Sequence, residues 1–172
     1  MKFERMRKII FSALFSAIIC VATFVVQIPI PATGGYVNLG DCFVIISGYM
    51  LGGFYGAIAS GLGSALADIL AGYAQYAPAT FVIKAVMAIA VYCLFKALCK
   101  AMGEKLAIVS RIITAIIAEI IMTAGYFAYE ALILGYGLSA AASIVPNLMQ
   151  GFVAVVSSVI ISTAIGKIKL KI

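Results

Sequence analysis

The residues able to do chemistry in this chain are a few charged and amide side chains set among apolar neighbours. Lys84 lies inside the run QYAPATFVIKAVMAIAVYCLF, where an ammonium buried in hydrocarbon costs about 2.5 kcal/mol or more. It follows Pro78 by six residues, about 9 Å along a helix. Asp68 precedes Gly72 by four residues, about 6 Å. Consecutive antiparallel helices pack side by side, so the matching depths predict a structural Asp68–Lys84 ion pair that removes two isolated buried charges. A paired lysine keeps further N–H donors, so Lys84 is also a candidate ligand contact.

Other polar groups converge on the same level. Glu119, Thr123, Tyr126 and Glu130 are spaced four, three and four, which puts them on one helix face. In IVPNLMQG, Pro146 suits a first helical turn, and Asn147 and Gln150 share a face. The segment PIPATGGYVNLGD adds Tyr36, Asn38 and Asp41. Taken singly, each could be interhelical hydrogen-bonding glue. Together, amides, tyrosines, a lysine and carboxylates at a common depth suit a pocket for a small polar ligand. The candidate contacts are Tyr36, Asn38, Asp41, Lys84, Tyr126, Glu130, Asn147 and Gln150.

Catalysis has little to work with. Histidine is absent, and Cys20, Cys42, Cys93 and Cys99 form no CxxC pair, so neither a metal site nor a nucleophile–base constellation is expected. GxxxxGK[ST] appears nowhere, so this chain is not expected to hydrolyse ATP. It is read as a non-enzyme without a cofactor.

The elements that position these residues must be membrane helices. The 172 residues are 65% hydrophobic and 10% charged, far from the roughly 45–50% and 25% of soluble domains. Residues 9–28 form an uncharged run of twenty, long enough for a ~30 Å hydrocarbon core. Further apolar segments cover 39–51, 53–72, 78–98, 107–131 and 143–165. The 39–51 segment reaches only about 20 Å. Residues 39–72 could therefore be one long helix broken at Gly52-Gly53, or a hairpin of two.

Basic residues choose between these. Lys2, Arg5, Arg7 and Lys8 precede the first span; Lys96, Lys100, Lys105 and Arg111 flank the link after 78–98; Lys167, Lys169 and Lys171 follow the last. Six spans put all of them on one side, whereas five would divide them. The positive-inside rule selects six, with both termini cytoplasmic and a short second helix that loop backbone must complete. The expected fold is thus an all-α integral membrane protein, residues 1–172 forming a single six-helix transmembrane domain. The basic face suits anionic lipid, and no nucleic-acid partner is expected.

Small residues indicate packing. Gly53, Ala57, Gly61 and Ser64, and likewise Gly56, Ser60, Gly63 and Ala67, open the third helix to close approach on two sides. Ala13 and Ala17 form a small-xxx-small pair in the cytoplasmic half of the first.

GGYVNLGD, GSALADILAGY, YAPATFVIKA, PNLMQG and the Ala13–Ala17 pair together resemble the substrate-binding S component of an energy-coupling factor (ECF) transporter, a prokaryotic vitamin importer. The likeness covers nearly the whole chain. It implies a multi-pass subunit of a prokaryotic plasma membrane that binds a vitamin near the outer surface, between loop one and helices four to six. It also implies docking through Ala13 and Ala17 on a transmembrane coupling protein (the T component) that carries two ABC-type ATPases. Asn38, Gly40 and Asp41 match the family's loop entering helix two, and Asp68 and Lys84 its charged pair. The vitamin does not follow from the resemblance. The net negative pocket disfavours anions such as pantothenate or folate, and the lack of tryptophan disfavours an indole-stacked thiamine. Tyr36, Tyr73, Tyr76 and Tyr126 could flank one ring, so pyridoxine or hydroxymethylpyrimidine is expected first and riboflavin next. A second reading is a stand-alone secondary transporter or channel for a small polar solute, which would often carry an inverted repeat; none is visible.

Overall fold

The computed structural model describes residues 2–167. Its elements are α1 (Lys2–Val25), β1 (Gln27–Ile30), β2 (Gly35–Asn38), α2 (Gly40–Leu51), α3 (Gly53–Leu70), α4 (Ala77–Met102), α5 (Ala107–Ala128) and α6 (Ile144–Lys167). All but α2 among the helices are long and apolar enough to cross a membrane, and α2 is a shorter apolar helix. Among the described residues the protein is an all-α membrane bundle of six helices with a short second one, as the sequence predicts. Outward-facing Leu62, Leu66, Val86, Ile120, Phe152 and Ile160 give it a surface suited to lipid.

Residues 39–72 form a hairpin of two helices. Gly52, at φ 82° and ψ 178°, is the whole connection, in a conformation a side chain would strain. The short α2 is buried along most of its length and touches α1, α3, α4 and α6. Apart from Asp41 and Ser47 its side chains are almost all apolar, as suits a helix packed among others on most sides. Val44, Ile45, Met87, Val91 and Met122 make the core around it. The small residues of α3 admit three neighbours rather than two. A Cβ at Gly56 would lie 3.0 Å from the Ser47 carbonyl of α2, at Gly61 2.8 Å from the Phe81 ring of α4, and at Gly63 2.5 Å from the Ser16 carbonyl of α1.

Loop one differs from its sequence reading. Helix α1 stops at Val25, and Gln27–Ile30 pairs antiparallel with Gly35–Asn38, Gln27 opposite Asn38 and Ile30 opposite Gly35. Pro29 and Pro31 cannot continue a helix, and two four-residue strands leave too little alternation to read. This hairpin fills the depth that α2 lacks.

The two ends of the bundle are distinct. Lys8 lies 6.0 Å from the Tyr55 ring, Tyr49 Oη donates to the Arg111 carbonyl at 3.0 Å, and Gly166 lies against the Arg111 guanidinium. The start of α1, the α2–α3 turn, the α4–α5 link and the end of α6 therefore share one face. The hairpin, the α3–α4 link and the 129–143 segment occupy the other. Lys169 and Lys171 lie outside the described residues.

Candidate functional site

A small cavity opens at the hairpin end, between loop one and helices α3 to α6. Ile30, Gly35, Tyr36, Asn38, Asp68, Tyr76, Thr80, Tyr126, Glu130, Asn147 and Gln150 line it, and its volume is about 30 Å³. Each element brings specific chemistry. Strand β2 supplies Tyr36, whose Oη donates to Asp68 Oδ1 of α3 at 2.6 Å. Burial first, and the Asp68 carboxylate second, push the Tyr36 phenol up, which keeps it protonated and donating. At the start of α4, Tyr76 Oη lies 2.8 Å from the Thr33 carbonyl and 3.1 Å from Glu130 Oε1. One turn deeper, Thr80 Oγ1 is 3.0 Å from Tyr126 Oη. A π turn at Tyr129–Ile133 extends α5 and carries Glu130 into the site; such turns recur at functional sites.

Gln150 ties the hairpin to the helices. Its Oε1 accepts from the Asn38 backbone N–H at 2.5 Å, and its Nε2 donates to Asp41 Oδ2. Asn38 Oδ1 accepts from the Gly40 N–H at 2.8 Å, at the start of α2.

The expected Asp68–Lys84 ion pair is corrected. Lys84 Nζ donates to Asp41 Oδ1, and both side chains are almost fully buried. The hairpin takes up the outer depth, so α2 begins level with Lys84 and presents Asp41 in its first turn, where a helix N-terminus favours an anion. Asp68 is held by Tyr36 instead. Lys84 also lies 5.4 Å from the centre of the Tyr126 ring, within cation–π range.

Of the predicted contacts, Tyr36, Asn38, Tyr126, Glu130, Asn147 and Gln150 line the cavity, while Asp41 and Lys84 lie behind Gln150 and Tyr126. Asp68 joins the lining, and so do Tyr76, named from the sequence only as a possible ring flank, and Thr80, which the sequence reading did not single out. Their signal was available: Tyr76, Thr80 and Lys84 recur every four residues, one stripe of α4. Of the four tyrosines named from the sequence, Tyr36, Tyr76 and Tyr126 line the cavity, Tyr76 lying 6.4 Å from Tyr126; Tyr73 is outside the lining, its ring 4.6 Å from that of Tyr36. Among the described residues, Asp68 Oδ2, Glu130 Oε2 and Thr33 Oγ1 make no hydrogen bond of ordinary geometry, although the Thr80 hydroxyl neighbours Asp68 and the Ser143 and Thr33 hydroxyls neighbour Glu130. The arrangement can hold a ligand by stacking and by accepting its N–H or O–H groups.

At the basic end, Ala13 and Ala17 are exposed and line a groove between α1 and α3, beside Ser16, Cys20, Ile58 and Leu62.

An uncharacterized protein in gap 3'region of Pyrococcus woesei is 46% identical over 66 residues; the match takes in 38% of this chain and 44% of that protein, so the chain spans under half of that relative's length. The profile of the ECF-type riboflavin transporter S component matches residues 3–168, nearly the whole chain. A six-helix membrane bundle with a tyrosine-flanked cavity under loop one thus stands on a family-wide match, and the chain belongs to the S-component family of ECF-type riboflavin transporters.

Proposed function

We propose that the protein is the membrane-embedded, high-affinity binding subunit for riboflavin in an ATP-driven ECF transporter of a prokaryotic plasma membrane. The family is a transporter component and not an enzyme class. The sequence placed pyridoxine or hydroxymethylpyrimidine ahead of riboflavin; the family's description supports taking riboflavin first. The observation that carries the site is the set of unmet acceptors, Asp68 Oδ2 and Glu130 Oε2, between tyrosine rings. A neutral aromatic ring with a polyhydroxyl chain meets both needs, whereas an anion would face uncompensated carboxylates. Tyr36, Asn38, Tyr126, Glu130, Asn147 and Gln150 contact the vitamin directly, with Asp41 behind Gln150 and Lys84 at the bottom of the site.

Drug-sized ligands occupy pockets of about 300–1,000 Å³, and the cavity holds about 30 Å³. Binding therefore requires the hairpin to move outward, which breaks the Asn38–Gln150 and Tyr36–Asp68 links and exposes their groups to the ligand. Ala13 and Ala17 dock on the T component with its two ATPases, where small side chains permit close helix approach.

Quenching of flavin fluorescence by the purified chain tests the substrate. Saturable quenching by one flavin per chain, unaffected by excess pyridoxine, is the expected result. Absence of quenching, with pyridoxine or a pyrimidine identified by mass spectrometry in the purified protein, would overturn the assignment.

A further inference from the structure

Below the cavity lies a carboxyl group that the site as described does not use. Glu119 is on α5, two turns deeper than Tyr126 and on the same face. It is 5% exposed, and neither of its oxygens has a hydrogen-bond partner. It abuts Gly151 of α6, where an added Cβ would lie 3.0 Å from Glu119 Cβ and 3.1 Å from Oε2. Gly151 follows Gln150, the residue that walls the cavity and bonds Asp41. Asp41 and Lys84 are the charged neighbours of Glu119. Thr123, one turn outward on α5, also has an unpartnered buried hydroxyl.

A buried carboxyl without a partner is costly, and here it neighbours a lysine with donors to spare. Lys84 has three N–H donors and commits one to Asp41. One wall of this spot therefore accepts while the other donates, and Gln150 and Tyr126 lie between it and the cavity.

We propose that Glu119 and Lys84 form the floor of the vitamin site and together read a lactam or imide edge of the ring. Lys84 donates to a ring carbonyl, and Glu119 accepts from the adjacent ring N–H. Charged or neutral, a carboxyl group offers a free oxygen lone pair to that N–H. As the ligand enters, the Gln150 side chain leaves Asp41 and opens the lower compartment. The inference rests on the flavin reading, because a flavin carries such a pyrimidinedione edge and a pyridoxine ring does not.

The test compares riboflavin with 3-methylriboflavin, in which the ring N–H is replaced by N–CH₃, on the purified full chain and its Glu119→Leu and Glu119→Gln variants. Wild type should bind riboflavin about tenfold or more tightly than the methylated flavin, the scale of one hydrogen bond to a charged group. Glu119→Leu should weaken riboflavin by a similar factor and abolish the discrimination, while Glu119→Gln, which keeps an acceptor oxygen, retains most of it. Wild type binding both flavins equally would overturn the inference even if Glu119→Leu fails to fold. Discrimination that survives in Glu119→Leu would do the same while leaving riboflavin binding intact. Failure of wild type to bind riboflavin would instead overturn the substrate reading and this inference with it.

Discussion

Lys84 illustrates how a residue's role depends on where neighbouring elements begin. Matched depths on consecutive helices pointed to Asp68, and the spacing arithmetic was sound. What decides the partner is the starting level of α2, which is set by a hairpin too short to leave a periodic signal in the sequence. Asp41 was visible as a candidate contact, as were Asn147 and Gln150, because amides and carboxylates in apolar runs stand out. Their mutual bonds were not, since a hydrogen bond between Gln150 and Asp41 joins residues far apart in sequence. Lys84→Met should destabilise the protein by about 3–5 kcal/mol, because it strands a buried carboxylate. Adding Asp41→Asn should restore most of that stability, and adding Asp68→Asn should not. Thermal melting of the single and double variants checks this, and rescue by Asp68→Asn alone would return the pair to its original assignment.

The helices were legible because apolar runs, glycine spacing and proline positions act over many residues. The 39–72 ambiguity turned on one glycine whose backbone conformation the sequence does not print. The hairpin escaped because prolines obscure its short alternation. On the proposed reading the two ends of the bundle do different work. Ala13→Val with Ala17→Val fills the groove between α1 and α3. It should abolish uptake in cells while leaving flavin affinity of the isolated protein within about twofold, since packing against a partner helix is lost and the pocket is untouched. At the other end, Tyr36→Phe removes the bond that anchors the hairpin on Asp68. It should lower stability by about 1–3 kcal/mol through an unpaired buried carboxylate and should speed flavin association in stopped-flow quenching. Normal uptake by the alanine double variant, or slower association by Tyr36→Phe, would contradict these assignments.

Across the whole molecule, basic residues gather on the face shared by the start of α1 and the α4–α5 link, while the buried charges are mostly acidic. Positive residues stay on the cytoplasmic side of a membrane, so a cysteine at position 103 should resist impermeant thiol reagents applied to intact cells. One at position 34 or 74 should react, and the opposite pattern would invert the bundle. On the proposed reading the basic face is inside, which would turn the tyrosine-flanked cavity toward the supply of vitamin and the alanine groove toward the coupling protein. On that reading, the chain binds flavin beneath the hairpin and depends on a partner's ATPases for accumulation. The decisive measurement is flavin uptake by liposomes containing this chain alone, compared with liposomes that also contain the coupling protein, its ATPases and ATP. The account predicts tight flavin binding without uptake in the first and ATP-dependent accumulation in the second. Uptake by the chain alone without ATP would contradict it and establish a self-sufficient transporter.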